Sequence, residues 1–141
     1  LDYVQLVAPD RGQQNDTAHA TAVGEGLKSV ARELGAPVLA LSQLNRQVEN
    51  REGNRPRMAD LRNSGGLEAA ADLVMLMYRA AYYRRQRGEK IDGPDLTEVI
   101  ISKNRNGPEG IVKLWFECET MRFTGEAVRD DAPADRDWST R

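Results

Sequence analysis

Gln43 is well placed to do chemistry. It stands with Ser42 and Asn45 in SQLNR (42–46), directly after PVLAL (37–41), one of the most apolar runs in the sequence. In open α/β sheets ligands collect beyond the carboxyl ends of strands, and a glutamine there can orient an attacking water or contact a terminal phosphate. The same residues could instead satisfy backbone groups at a strand end. Asp2 raises a related question. It precedes YVQLV (3–7), and a carboxylate within an apolar strand costs free energy unless a metal ion or a lysine pairs with it. Mg²⁺ beside a phosphate would meet that need, whereas a solvent-exposed end would remove it.

The cations form two groups. Lys103 and Arg105 alternate with Asn104 and Asn106 ahead of Gly107-Pro108-Glu109-Gly110. Residues two apart share a strand face, so both should project together beside a tight turn and could clamp a phosphate; ordinary surface cations on a hairpin are the other reading. Between Asn45 and Asn63 run Arg46, Arg51, Arg55, Arg57 and Arg62 against Glu49, Glu52 and Asp60, with Ser64, Gly65 and Gly66 following. Arginine charge and the accessible amides of small residues suit a nucleic-acid backbone. A solvated surface loop fits the same composition.

Other residues carry less. His19, the sole histidine, has no acidic or cysteine partner at ligand spacing and reads as a surface residue. Tyr82 and Tyr83 could stack bases or cover a sheet edge. Cys118 is the sole cysteine, which excludes a disulfide framework and a thiolate metal site and leaves a structural thiol. The sequence contains no G-x-x-x-x-G-K-S/T phosphate loop, and no serine or cysteine nucleophile has a base to pair with.

Elements that would position these groups follow from periodicity. LDYVQLV (1–7) and PVLALS (37–42) read as strands. Between them a helix begins at Asp16 or Thr17, buries Val23, Leu27, Val30 and Leu34, and ends at Gly35 before Pro37, giving a βαβ unit. Gly24 and Gly26 each cost that helix about 1 kcal/mol relative to Ala, so packing must hold it. A long loop (45–57) precedes short helical stretches near Met58–Leu61 and Gly66–Ala71, and then a buried strand, DLVMLMYR (72–79). Residues 79–95 read as irregular. LTEVIISKNR (96–105), IVKLWFE (111–117) and MRFT (121–124) read as an antiparallel meander, with Trp115 and Phe116 as core and rim of a strand. The acidic tail, 126–141, is expected to be disordered.

Totals bound the class. The 141 residues carry a net charge of -2, with 40% hydrophobic and 30% charged residues, a soluble globular mixture of one domain or a piece of one. No run approaches the roughly 18 apolar residues of a spanning helix, and the first residues lack a basic signal-peptide start. An intracellular protein is expected, without a membrane partner, and a chain opening inside a strand without methionine looks cut.

Taken together, LDYVQLV, then VARELGAPVLALSQLNRQVENREGNRPRMADLRNSGGLEAAADLVMLMYR, then EVIISKNRNGPEGIVKLWFE resemble the motor domain of DnaB-type replicative DNA helicases. The resemblance covers roughly residues 1–124, with the domain drawn at 1–125, and implies an α/β, RecA-like fold: part of a parallel sheet with flanking helices and a C-terminal antiparallel meander. It implies a parent that couples ATP hydrolysis, with Mg²⁺, to 5′-to-3′ translocation on single-stranded DNA and duplex unwinding. That parent would be a homohexamer with primase and helicase-loader partners, cytoplasmic and nucleoid-associated. By the same resemblance Asp2 is the Walker B acid on Mg²⁺, and Gln43 links the γ-phosphate to the DNA loops. Arg62, Asn63 and Gly65 match the loop that grips DNA, although the family commonly has Glu where this chain has Asn63. Lys103 and Arg105 match cations presented to a neighbouring subunit's ATP. The family's phosphate loop and catalytic glutamate lie upstream of Walker B, so this stretch alone is expected to be inactive. A truncated, non-catalytic module that binds single-stranded DNA or joins hexamers is the alternative, and a RecA-like recombinase or clock-type ATPase is a further one.

Overall fold

The computed structural model describes residues 1–7 and 16–125, apart from the side chains of residues 16 and 62–65. The expectation for the acidic tail lies outside those residues. Helix α1 (Asp16–Leu34) forms where its spacing predicts. It stops at Gly35, which adopts φ 58°. The Gly35 amide donates to Arg32 O (3.2 Å) and the Ala36 amide to Ala31 O (3.1 Å), the paired bonds that satisfy the last carbonyls of a helix closed by a left-handed glycine.

The buried face of α1 differs from the periodicity. Ala20 and Val23 are buried, but Val30 is 43% and Leu34 70% exposed. Packing is concentrated in the first half of α1, against the short helix α2 (Gly65–Ala70). There the backbones nearly touch: a Cβ on Gly66 would lie 2.1 Å from Thr21 Cα, and one on Gly24 3.0 Å from Gly66 O. Gly24 is therefore the means of packing that the helix needs.

The main sheet is antiparallel, in the order β1 (Leu73–Tyr78), β2 (Asp95–Asn104), β3 (Gly110–Glu117), β4 (Arg122–Gly125). Its register sets Leu76 against Ile100 and Ile100 against Ile111. These strands follow the sequence pattern closely, but β1 is not the buried strand its composition suggests: only Leu76 in it is buried, and Met75 and Met77 lie open on the other face.

Two expected strands need correction. Residues 1–7 contain a 3-10 turn at Val4–Leu6, and 37–42 is extended chain without strand assignment. They still run side by side. The Leu1 amino group donates to Leu39 O (2.8 Å), the Leu41 amide to Leu1 O (2.9 Å) and the Val4 amide to Leu41 O (2.8 Å). This is a parallel pairing, and among the described residues neither segment has a second strand neighbour. Two short parallel segments make too few rungs to sustain a regular ladder. The molecule is α/β, with its parallel component reduced to this pair.

A helix, α3 (Ala80–Gln86), occupies part of the stretch read as irregular. Alanine, arginine and glutamine favour helix, and contacts fix it in place. Arg85 Nη1 (2.6 Å) and Arg79 Nε (3.4 Å) converge on Asp95 Oδ2, and Asp95 is completely buried. Arg79 also lies 4.4 Å from the centre of the Phe116 ring. Phe116 is buried and Trp115 exposed, the reverse of the expected core and rim, because Phe116 lies under Arg79 and beside Phe123. The exposed Cys118 thiol reaches Asp95 Oδ2 at 3.5 Å. Burial pushes the Asp95 carboxyl up, but the hydrogen bonds from Arg85 and Cys118 and the two arginine charges outweigh it and hold it below the usual range. Tyr83 stacks on Tyr78 of β1 at 6.3 Å, with Tyr82 edge-on to Tyr83 at 5.2 Å.

Candidate functional site

Gln43 lies where the paired segments end. Backbone pairing stops at Leu41, because the turn at Val4–Leu6 carries the first segment away, and a side chain continues the link. Gln5 Oε1 accepts from the Gln43 amide (3.3 Å), while Gln5 Nε2 donates to Gln43 O (3.3 Å) and Ser42 Oγ (3.1 Å). The Gln43 side chain itself is exposed. It borders a cavity of about 370 Å³ whose lining includes Gln5, His19, Asn45 and Asp60. His19 is not the free surface residue expected: its Nε2 lies 2.8 Å from Val7 O and ties α1 to the first segment.

Asp2 is exposed, so the desolvation cost that would have demanded a partner is absent. Among the described residues no group of three or more His, Cys, Asp or Glu side chains is arranged to hold a metal ion. Asp2 fits the lesser role of a single oxygen ligand, which matches how Mg²⁺ is bound beside phosphates, through one or two carboxylates and the substrate.

The loop after Gln43 is tightly built. Three-ten turns cover Arg46–Asn50, Glu52–Asn54 and Met58–Ser64, and their hub is the buried Asp60. Arg51 grips its two oxygens in a fork (2.8 and 2.7 Å), and the Arg57 amide adds a third bond (2.7 Å). The Arg51 hydrogen bond holds the Asp60 carboxyl below its ordinary range against the effect of burial. A second hub is buried Asn54, which donates to Glu49 O (2.7 Å) and accepts from Arg87 Nη2 (2.6 Å). Arg55 pairs with Glu98 and lies over Tyr78.

The basic character of this loop is therefore partly spent on carboxylates of the same chain, Asp60 within the loop and Glu98 on β2. Arg51 and Arg55 are engaged, whereas Arg46 and Arg57 are exposed and make no ion pair among the described residues. The side chains of Arg62 and Asn63, and Gly65 with them, lie outside the described residues. Their backbone closes the last three-ten turn and opens α2.

Lys103 and Arg105 do come together, as their spacing predicts. Both reach the carboxyl end of α2: Lys103 Nζ donates to Glu68 O (2.5 Å), and Arg105 Nη2 to Ala69 O (2.8 Å). Lys28 of α1 joins them, donating to Ala70 O (3.2 Å) and Asp72 Oδ1 (2.5 Å), and Arg105 Nη1 is 3.3 Å from the same oxygen. Cations at the carbonyl end of a helix complement its unpaired acceptors. The Lys28 hydrogen bond, supported by the charges of Arg105 and Lys103, keeps the Asp72 carboxyl below its usual range. Asn104 organises the adjoining turn, accepting from the Asn106 amide and donating to Pro108 O (both 3.2 Å).

Residues 1–125 match the model of the DnaB-like helicase C-terminal domain. The chain belongs to that family. It is 43% identical over 134 residues to the replicative DNA helicase DnaC of Bacillus subtilis (strain 168), covering 94% of this chain and 29% of that protein. It is 42% identical over 132 residues to the replicative DNA helicase DnaB of Geobacillus stearothermophilus, covering 93% and 28%. A solved DnaB-like replicative helicase, whose structure was described with its interactions with primase, superposes with a TM-score of 0.79 at 42% identity, covering 89% of this chain and 30% of that one. The DnaB-like chain thus spans less than a third of these relatives, and its α/β fold is that of their RecA-like ATPase domains.

The roles of Gln5, Asp60 and the Lys28–Asp72 pair do not follow from the sequence. Two of them left a trace: Gln5 interrupts the apolar YVQLV, and Asp60 is the one acid of RMADLR. Neither trace names a partner, because the partners are 38 and 9 residues away.

Proposed function

We propose that this DnaB-like domain is part of an ATP-dependent replicative DNA helicase that moves 5′-to-3′ on single-stranded DNA and unwinds duplex. The observation that carries the reading is the link from Gln43 to the segment ahead of α2: two residues on, the Asn45 amide donates to Asp60 O (3.0 Å), and Asp60 lies in the turn that runs into residues 62–65. A change at Gln43 has a short route, two residues of backbone and one hydrogen bond, to the loop proposed to hold DNA.

In this reading Asp2 offers one oxygen to Mg²⁺, and the nucleotide supplies the phosphates that complete the metal's coordination. Gln43 meets the terminal phosphate from its exposed position at the end of the paired segments. Arg62, Asn63 and Gly65 hold the DNA backbone, with Arg46 and Arg57 adding charge nearby. Lys103 and Arg105 face the nucleotide of an adjacent copy in a homohexamer, stabilising charge that builds on the transferred phosphoryl group. Groups that cradle the remaining phosphates come from outside this stretch, so the isolated segment does not turn over ATP. Primase and a loader act on the assembled helicase.

The test is Gln43→Ala in the full-length protein. A loss of at least about tenfold in the stimulation of ATP hydrolysis by single-stranded DNA, equivalent to about 1.4 kcal/mol, is expected with the unstimulated rate little changed. Unchanged stimulation refutes the reading.

A further inference from the structure

The geometry points to Gln5 as a positioning residue that fixes Gln43 for its work, an inference that rests on the reading of Gln43 given above. The side chain of Gln5 imitates a peptide group. It accepts from the Gln43 amide and donates to the Gln43 carbonyl, both at 3.3 Å, filling the two backbone positions that a neighbouring strand would otherwise satisfy, and it adds a bond to Ser42 Oγ at 3.1 Å. The imitation is needed because the backbone of residues 4–6 turns in a 3-10 conformation just where the next rung would form. Val4 makes the last backbone contact, to Leu41 O, and Gln5 supplies the one after it.

Two consequences follow. First, Gln43 is held on both of its backbone groups, so its exposed side chain leaves the cavity wall in a restricted direction. Asn45 cannot replace this hold, since it uses its side chain to accept from the Gln47 amide (3.0 Å) and its own amide on Asp60 O. Second, Gln5 follows Asp2 by three residues on one short segment whose other anchors are Leu1 to Leu39, Val4 to Leu41 and His19 to Val7. Displacement of Asp2 by a metal-bound nucleotide would be felt at Gln43 through Gln5, and through Asn45 and Asp60 at the segment ahead of α2. Gln5 acts through Gln43 and touches no reacting atom.

The experiment compares Gln5→Ala, Gln5→Glu and Gln43→Ala in the full-length protein. Rates of ATP hydrolysis are measured with and without single-stranded DNA, together with amide hydrogen exchange of the peptide spanning residues 42–45. Gln5→Ala should lower the DNA stimulation by about tenfold, equivalent to about 1.4 kcal/mol, with KM for ATP nearly unchanged and faster exchange at 42–45. Gln5→Glu keeps the acceptor for the Gln43 amide but loses both donors, so an intermediate loss is expected. If Gln43→Ala abolishes stimulation while both Gln5 variants retain it, Gln5 has no positioning role and the reading of Gln43 survives. If stimulation persists in all three variants, both ideas fall. Should Gln5→Ala fold poorly, Gln5→Glu decides: full stimulation with unchanged exchange overturns the proposal.

Discussion

Asp60→Asn isolates the central contact of the loop between Gln43 and α2. Asp60 is 5% exposed and receives three hydrogen bonds, two from the Arg51 guanidinium and one from the Arg57 amide. Asparagine has nearly the same shape but is neutral, and its NH₂ would face guanidinium donors, so at least one of the forked bonds becomes donor against donor. Hydrogen bonds to charged groups contribute about 1.5–3 kcal/mol each, and breaking a buried pair costs about 3–5 kcal/mol. Because the remaining oxygen still accepts, a cost of about 2–4 kcal/mol at Asp60 is expected. The sign with pH follows from the depressed carboxyl. Its contribution is fully present above the unfolded value of about 3.9 and is lost as pH falls through the lower native one. The assay is twofold: amide exchange at Arg57 and Asn45 in the full-length protein near neutral pH, and denaturation of parent and variant from pH 7 downward. Arg57 should exchange at least about tenfold faster in the variant, and the stability gap should shrink only below about pH 4. A gap under about 0.5 kcal/mol at pH 7, or one that stays constant into strong acid, refutes the clamp.

Gly66→Ala places a Cβ 2.1 Å from Thr21 Cα, so overpacking of about 1–3 kcal/mol or more is expected as a lowered Tm; Gly24→Ala, whose tightest contact is 3.0 Å, should cost less because alanine gains about 1 kcal/mol of helix propensity. Arg57→Ala and Arg46→Ala should each flatten the salt dependence of single-stranded DNA binding by about 0.7 in log–log slope, whereas Arg55→Ala, which removes a cation already paired with Glu98, should leave that slope unchanged. Asp95→Ala strands Arg79 and Arg85 against the sheet; a loss of about 3 kcal/mol is expected in denaturant titration, and equal stability of variant and parent would show that α3 is held without this carboxylate.

What was legible in the sequence was whatever depends on neighbours along the chain. The end of α1 at Gly35, the meander of β2, β3 and β4 and the shared side of Lys103 and Arg105 all follow from local period and turn chemistry. The family resemblance, confirmed over residues 1–125, rests on the same local motifs. Burial was less legible, because it depends on what lies opposite. Val30 and Leu34 have the right spacing for a core but face no partner among the described residues, and Leu73, Met75 and Met77 are open for the same reason. The strand propensity of 1–7 and 37–42 was real, yet a ladder needs more rungs than the two segments make with each other. Nor could composition reveal that Arg51 is taken up by Asp60 of the same loop and Arg55 by Glu98 of β2, since charge counts do not distinguish a cation already paired with a carboxylate from one waiting for a ligand.

This distinction bears most on Lys103 and Arg105. Both are occupied, but by carbonyls of Glu68 and Ala69 and by an exposed carboxylate, Asp72, shared with Lys28. Helix-end carbonyls and an exposed ion pair are weak competitors for a polyphosphate, because the carbonyls carry no net charge and can be given water instead, and the exposed pair is screened by solvent. The helix whose carbonyl end they occupy is only six residues long and continues from residues 62–65. If phosphate drew the cations away, that end of α2 would lose its complementing charge while its other end stayed joined to the proposed DNA loop. In the proposed homohexamer, Arg105→Ala should therefore lower kcat far more than it changes KM for ATP, as expected of a group that acts chiefly on transition-state charge. In hexamers mixed with subunits inactivated in their own nucleotide site, the defect should depend on which copy carries the substitution. A defect that tracks only the subunit holding the nucleotide would place Arg105 in its own site and remove the adjacent-copy assignment.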